Sequence, residues 1–330
     1  MTAPERRALV WSGGGRYGAL QAGANLALRE AGIEYDVEIG ISVGSINSIH
    51  QMQFLKGHQA GGAQELVRLW KSIDNASVKK QHSVLGWMSM LRERTMWSTA
   101  PLRETMKEHI DVAQLRMAAR KGRDWRCGAV ALEDGEYREF GTELFNDEDD
   151  LFDAILASSA FPLMLEYQSI EGKTWVDGGV RNMTPIHSAI MMGCDRIDVL
   201  HCGAPEIDPA KDLGGWLPAI KDAGRVIEIM LDEVVRGDID AINHQLRGRR
   251  FIDMLLDDLE RVAPATARVR RAAIPPAPTV SVLYLKPSSG SALDFSPGRI
   301  SLDLEAGYAK GKWWRDSDDF RFGRPSAPFR

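Results

Sequence analysis

Two glycine-rich turns near the start of the chain constrain its fold more than any other feature. Each joins a short apolar run to a helical run: residues 8–11 lead to residues 17–32, and residues 36–41 lead to residues 43–56. A short buried strand that ends in a tight turn and continues as a helix is typical of sheets whose strands run parallel. Two such units in succession predict an α/β fold with a mainly parallel sheet flanked by helices.

The rest of the chain predicts an extension of the same domain. We expect a core at residues 7–200, a helical and strand elaboration at residues 201–312 packed on the same domain, and a loose tail at residues 313–330. Pro and Ala dominate residues 263–278, which predicts a loop there. The tail is charged and carries two prolines, and chain ends of this kind are commonly poorly ordered.

Composition and charge exclude several classes of protein. The 330 residues carry 41 Lys and Arg against 46 Asp and Glu, a net charge of −5, so no nucleic-acid partner is expected. Cys127, Cys194 and Cys202 are too few and too irregularly spaced for a disulfide framework or a zinc site, and no metal is expected. No leader is visible, and no apolar run approaches the about 20 residues of a membrane span, so we expect a cytoplasmic protein.

The second turn has the pattern G-x-S-x-G over Gly40, Ile41, Ser42, Val43 and Gly44. A serine on a sharp strand-to-helix turn has strained backbone angles, and glycines two residues to either side leave room for it. Such a turn lifts the hydroxyl out of the carboxyl edge of the sheet, where it can act as a nucleophile. The motif therefore indicates a nucleophilic Ser42; the alternative is an ordinary glycine-rich turn.

The first turn contains Gly13, Gly14, Gly15, Arg16 and, two residues further, Gly18. Backbone N–H groups at the start of a helix suit an oxyanion hole, which holds the negative oxygen of a tetrahedral intermediate. The same glycines also match the G-x-G-x-x-G of nucleotide-binding oxidoreductases. That pattern needs an acid at the end of the second strand, but Asp36 and Glu38 fall at its start and Ser42 follows its end. The arrangement favours the oxyanion hole; tight packing alone is a third interpretation.

A serine nucleophile needs a general base. Of the seven histidines, only His201, at the end of the predicted strand 196–201, is well placed for a triad. A carboxylate can replace it if it lies within hydrogen-bond reach of the hydroxyl. Asp177 ends the predicted strand 173–176 and precedes Gly178 and Gly179, although an Asp-Gly-Gly turn alone is commonly structural. The residues alone leave both bases open.

In combination, these motifs resemble the patatin-like phospholipase family. The loop at residues 13–18, the Gly40–Gly44 turn and the Asp177–Gly179 turn follow the family's order, and the resemblance extends from Arg7 to Tyr308. It implies a three-layer sandwich and a Ser–Asp dyad, with Ser42 as nucleophile and Asp177 as general base. The backbone of residues 13–16 would form the oxyanion hole. The family hydrolyses acyl esters of lipids without a metal, so no cofactor is expected.

Residues 157–162 and 293–297 also resemble the family, whereas Ile41, Arg181 and Met183 depart from its pattern. None of these departures removes a catalytic atom, so we expect them to alter substrate preference more than activity. Two other functions stay open. The chain could be a nucleotide-binding oxidoreductase, or a catalytically silent lipid-binding or regulatory protein.

Two further features suit a phospholipid or other lipid-ester substrate met at a peripheral membrane surface. The apolar segment Leu85–Trp97 suits either a lid or interfacial patch, or a satellite core under a long loop. Two arginine clusters are formed by Arg247, Arg249, Arg250 and by Arg268, Arg270, Arg271. They suit anionic headgroups or, because acids lie among them, ordinary solvated helix charge. No protein partner is predicted.

Overall fold

The computed structural model describes residues 5–81, 94–203, parts of 233–272, 277–287 and 290–323. Most of the apolar segment Leu85–Trp97, and most of residues 204–250 in the expected C-terminal elaboration, lie outside the described residues.

Ten strands are present in the described residues. They are β1 (Arg7–Trp11), β2 (Val37–Gly40), β3 (Lys80–Gln81), β4 (Trp97–Ser98), β5 (Asp124–Ala131), β6 (Tyr137–Gly141), β7 (Gln168–Ile170), β8 (Lys173–Asp177), β9 (Arg196–Cys202) and β10 (Thr279–Leu285). Eight of them form one sheet, and β3 pairs with β4 separately. Strands β10, β9, β1, β2 and β5 run parallel to one another, whereas β6 and β8 are antiparallel to β5 and β7 is antiparallel to β8. The predicted mainly parallel sheet is confirmed.

The helices lie on both faces of this sheet. They are α1 (Gly18–Glu30), α2 (Val43–Met52), α3 (Gln59–Ser72), α4 (Asn75–Val78), α5 (Ala100–His109), α6 (Val112–Arg120), α7 (Glu148–Ser158), α8 (Ile186–Met191), α9 (Pro264–Ala272), α10 (Pro297–Arg315) and α11 (Asp318–Phe322). Leu9 and Trp11 of β1 pack in one buried cluster with α1 and α10, and Ala8 and Val10 pack in another with α8. This alternation along one strand places core on both sides of the sheet.

Strands β2 and β8 meet end to end along the same edge of β5. Gly40 of β2 pairs with Cys127, and Asp177 of β8 pairs with Ala129. Both of these β5 residues also pair with β6, which therefore takes the opposite edge. Since β2 is parallel to β5 and β8 is antiparallel, the carboxyl ends of β2 and β8 converge beside Gly128. The topology thus brings together two chain segments that are far apart in sequence.

The C-terminal part differs from the sequence prediction in two places. Residues 264–272, expected as a loop, form α9: Pro264 occupies its first position, where its missing N–H costs no helical hydrogen bond. Part of the tail expected to be loose forms α11, because the Ser317 hydroxyl caps it and Phe320 packs edge-on against Trp314, with ring centroids 4.8 Å apart. The domain boundaries themselves stay a prediction.

Candidate active site

Ser42 lies on a strained turn between β2 and α2. Its φ of 55° and ψ of −129° are rare for a residue with a side chain. A Cβ on Gly40 would overlap the Gly44 carbonyl, and a Cβ on Gly44 would overlap the carbonyl of Trp11, so both positions need glycine. The Ser42 N–H donates to the Ser158 hydroxyl over 3.1 Å. Close packing at Gly40 and Gly44 and the hydrogen bond to Ser158 therefore fix the turn, and the Ser42 side chain lies at the edge of the sheet.

The residues that flank Ser42 have a different role. Ile41 is fully buried and Val43 is nearly so, with Val43 in the cluster formed by α1 and α3. These two side chains fix the turn by packing in the core. Of the three residues between the glycines, only Ser42 therefore has a polar side chain at the site. The departure from the family pattern at Ile41 is thus a packing feature.

Asp177 lies at the end of β8, buried and directly beside Ser42. Its Oδ1 accepts a hydrogen bond from the Gly179 N–H over 2.8 Å, and the Ser42 side chain lies near enough to the carboxyl group to act as a second donor. Within the described chain no Lys, Arg or His forms an ion pair with it. Burial raises the pKa of Asp177 to about 6, although the two hydrogen bonds act in the opposite direction. The carboxylate is therefore poised to take a proton near neutral pH.

The glycine loop lies against the other side of Ser42. A Cβ on Gly13 would lie only 3.1 Å from the Cβ of Ser42, so the loop approaches the serine closely because Gly13 has no side chain. Gly14 and Gly15 have φ values of 145° and 56°, which favour glycine. Among the described residues, the N–H groups of Gly13, Gly14 and Gly15 have no hydrogen-bond acceptor. They are the candidate donors of an oxyanion hole.

Two residues predicted for the same hole use their N–H groups elsewhere. The Arg16 N–H donates to the Ala292 carbonyl over 2.7 Å, and the Gly18 N–H donates to the Gly15 carbonyl. Their role as oxyanion donors therefore stays a prediction, and the geometry favours Gly13, Gly14 and Gly15 over them. The side chain of Arg16 is fully buried and pairs with Asp303 of α10, which ties the loop to the C-terminal helix. Sequence reasoning missed Asp303, since no local motif marks it.

Met183 borders the same space from the segment after Asp177. Its Sδ lies 2.6 Å from where a Cβ on Gly13 would be, and its Cε lies 2.7 Å from the equivalent point on Gly179. The N–H groups of Met183 and Thr184 donate to Asp238 over 2.9 and 3.1 Å. The C-terminal elaboration thus holds the backbone that carries Met183. Asp238 is a second residue without any signal in the sequence.

The alternative base, His201, is not part of this arrangement. It lies on β9 next to Cys202, whose Cβ is 3.0 Å from where a Cβ on Gly14 would be. Neighbouring side chains on a strand point to opposite faces, so His201 points away from the glycine loop. Its ring packs edge-on against Tyr284 at a centroid distance of 5.6 Å, and burial lowers its pKa to about 4. These surroundings disfavour a catalytic base.

The acidic residues that the G-x-G-x-x-G pattern would need for nucleotide binding also have other partners. Glu38 is fully buried and accepts hydrogen bonds from Arg29 over 2.6 Å, from Arg123 over 2.9 Å and from Trp11 Nε1 over 2.9 Å. Asp36 accepts from the N–H of Arg7 and pairs with Lys56. Neither carboxylate faces the glycine loop as a ribose acceptor, so the geometry disfavours a nucleotide-binding oxidoreductase.

The described residues contain no group of three or more His, Cys, Asp or Glu side chains placed to hold a metal ion. None of their helices combines the length and apolar character needed to cross a bilayer. The three cysteines are buried and free.

Comparison with known proteins identifies the fold and the family. The family model described as patatin-like phospholipase matches residues 9–190, which is more than half of the chain. Among solved structures, the crystal structure of VipD from Legionella pneumophila is similar, with a TM-score of 0.43 and 13% identity, covering 94% of this chain and 67% of that chain. No curated protein matches the sequence significantly. On the family match, with its three motifs in one site, the chain belongs to the patatin-like phospholipase family.

Proposed function

We propose that the protein is a serine acyl hydrolase of phospholipids or related lipid esters, with Ser42 as nucleophile and Asp177 as general base. One observation carries the proposal: a serine on a strained turn lies beside a buried carboxylate that has no cationic partner among the described residues. Membership of the patatin-like family supports lipid-ester hydrolysis in general. Within that activity, the geometry favours these two residues over His201.

The first half of the proposed cycle forms an acyl-enzyme. Asp177 takes the proton of the Ser42 hydroxyl as Oγ attacks the ester carbonyl, and the carbonyl oxygen becomes an oxyanion. The unpaired N–H groups of Gly13, Gly14 and Gly15 stabilise that oxyanion. The intermediate then collapses, the C–O bond to the alcohol breaks, and Asp177 returns the proton to the leaving alcohol.

The second half releases the fatty acid. Water attacks the acyl group on Ser42 while Asp177 accepts a proton from the water. The second tetrahedral intermediate collapses, and the Ser42 oxygen regains the proton from Asp177. A carboxylate can perform both transfers because burial raises its pKa to about 6, close to the operating pH at which a base is most effective.

The test is covalent labelling combined with a panel of lipid esters. The wild-type protein should react with a fluorophosphonate and release fatty acid, whereas Ser42→Ala should do neither and should keep its melting temperature. Ser72→Ala, which removes an exposed hydroxyl on α3, is the matched control and should behave as wild type. Undiminished labelling of Ser42→Ala would overturn the assignment. Lipid binding by the wild type without any product release would indicate a silent lipid-binding protein instead.

A further inference from the structure

The helical residues 251–262 and α9, together named here the C-terminal hairpin, concentrate large apolar side chains at the surface. Six of the thirteen exposed large apolar residues in the described chain lie in this hairpin, with exposed fractions from 40% to 81%: Phe251, Ile252, Met254, Leu255, Val262 and Val269. Single exposed apolar residues are normal, but a contiguous group of this size marks a contact surface.

Three of the exposed side chains share one face of the first helix of the hairpin. Phe251, Leu255 and Val262 follow the spacing i, i+4, i+11, which places them on one side of a helix. Leu256 and Ala267 are buried, and an ion pair between Arg271 of α9 and Asp257 joins the two helices. The inner side of the hairpin is therefore occupied, and the apolar face is the outer one.

Positive charge that has no acidic partner borders this face. All four described acids of the hairpin are paired, in the ion pairs Arg249–Asp253, Arg271–Asp257, Arg271–Glu260 and Arg261–Asp258. Arg247, Arg268 and Arg270 have no acidic partner in the described part of the chain. Residues 247–272 carry seven arginines against four acids, so this stretch is locally basic although the whole protein carries a net charge of −5.

We propose that the outer face of the C-terminal hairpin docks the protein on an anionic phospholipid bilayer. The inference deepens the proposed function, on which it rests for the choice of a lipid surface. Apolar side chains enter the acyl boundary while neighbouring arginines contact phosphate, a combination that a bilayer interface satisfies. A symmetric contact with a second copy would bring the same arginines of both copies together, so the charge favours the bilayer.

The segment that leads into the hairpin also contacts the candidate active site. Asp238 accepts hydrogen bonds from the N–H groups of Met183 and Thr184, in the loop that follows Asp177. The segment that binds the loop after Asp177 is therefore continuous in sequence with the hairpin, so docking places the bilayer near the candidate active site. Vesicle lipid should be hydrolysed faster when the hairpin is bound.

The experiment compares sedimentation of the full chain with vesicles of phosphatidylcholine alone and of phosphatidylcholine mixed with phosphatidylglycerol. Wild type should prefer the anionic vesicles. Arg268→Gln with Arg270→Gln should lose that preference, by about fivefold for each arginine. Leu255→Asp with Val262→Asp should lose binding to both kinds of vesicle. Hydrolysis of a soluble short-chain ester should be unchanged in each variant, while vesicle hydrolysis falls with binding.

Matched controls change the same chemistry elsewhere. Arg120→Gln with Lys121→Gln removes two exposed charges beside α6, and Leu302→Asp alters an exposed apolar residue on α10. Both should bind as wild type. Unchanged anionic preference after the hairpin arginines are removed, an equal loss in the controls, or a dimer that the hairpin variants dissociate would overturn the docking surface. Vesicle binding without any ester hydrolysis would instead overturn the proposed function and leave the docking surface standing.

We also infer that Met183 limits the size of the substrate group that lies over the glycine loop. Its thioether fills the space between Gly13 and Gly179, next to both Ser42 and Asp177. Its backbone N–H, and not its side chain, makes the bond to Asp238, so a side-chain change leaves that bond in place.

Ester series with varied acyl groups and with varied alcohols test this inference. Met183→Ala should raise kcat/KM for bulky esters relative to small ones by roughly tenfold or more, in one of the two series. Met183→Leu conserves volume and should keep the wild-type ratio. The inference is overturned if neither series shifts, or if the leucine variant shifts as much as the alanine variant.

Discussion

Two buried carboxylates next to the same edge of β5 have opposite surroundings. Glu38 of β2 pairs with Trp125 of β5 and is bonded to the guanidinium groups of Arg29 and Arg123. Asp177 of β8 pairs with Ala129 of the same strand, and within the described residues its carboxyl group interacts only with the Ser42 hydroxyl and the Gly179 N–H. Burial is nearly complete for both, so the difference lies in the counter-charges.

This difference distinguishes a carboxylate with a structural role from a carboxylate suited to proton transfer. A buried carboxylate between two cations has its charge matched, and removal of either partner leaves an uncompensated charge in the core. A buried carboxylate without a cation is penalised for being charged, so it binds protons at a higher pH and becomes a base. In this protein the first arrangement holds β2 to its neighbours, and the second lies at the candidate active site.

The largest expected effect is on catalysis at Asp177. Asp177→Asn keeps the shape of the side chain but cannot accept a proton, so kcat/KM for ester hydrolysis should fall by roughly 10²–10⁴-fold or more. Steady-state rates on a soluble ester measure this. His201→Asn, the matched control, should stay within about twofold of wild type, because that ring lies outside the site. Near-normal rates in Asp177→Asn with a large loss in His201→Asn would reverse the assignment.

The next effect is on stability at Glu38. Glu38→Gln leaves Arg29 and Arg123 buried without a counter-charge, so the free energy of unfolding should fall by about 3–5 kcal/mol. Denaturant unfolding measures this loss. Glu136→Gln is the control, since its ion pair with Lys173 is exposed and should contribute under about 1 kcal/mol. An equal loss in both variants would show that the buried network is no more important than a surface pair.

The comparison also predicts a pH-dependent stability difference at Asp177. Because the pKa of Asp177 is about 6 in the folded state, above its ordinary value of 3.8, the folded state binds the extra proton and loses stability as pH rises through about 6. Asp177→Asn does not ionise and so does not lose this stability. At pH 8 its free energy of unfolding should therefore exceed that of wild type by up to about 3 kcal/mol. Below pH of about 4 the two should converge. Unfolding midpoints across this range measure the difference, and a gap independent of pH would contradict it.

The smallest expected effect is in the pH profile of the wild-type enzyme. Asp177 acts only when it is ionised, so kcat/KM should rise with pH through an apparent pKa of about 6 and then level off. One pH unit below that value, activity should be about tenfold lower than on the plateau. Initial rates on a soluble ester between pH 4 and about 8 would reveal the midpoint. A midpoint near the ordinary value for an aspartate would mean that burial does not raise this pKa.

Much of the candidate site could be predicted from local patterns. The turn at Ser42 was predictable because only glycine fits at Gly40 and Gly44, and steric requirements of this kind appear directly in the residue order. The strand that ends at Asp177 was predictable from its apolar run. Local patterns did not reveal that the N–H groups of Arg16 and Gly18 have backbone acceptors, because those partners depend on how the loop packs.

The residue order thus contained the parallel sheet, the two turns and the candidate nucleophile, because each depends on neighbours within a few positions. It left His201 and Asp177 both open as the base, and only the family resemblance favoured Asp177. Tertiary structure decided which groups surround them. Arg16 and Asp303 are 287 residues apart, Met183 and Asp238 are 55 apart, and no local pattern links either pair. The pKa of Asp177 likewise follows from burial at the place where β2 and β8 meet beside β5. Burial and long-range pairing arise only when the chain is packed, and they give the Asp-Gly-Gly turn the surroundings that the proposed base requires.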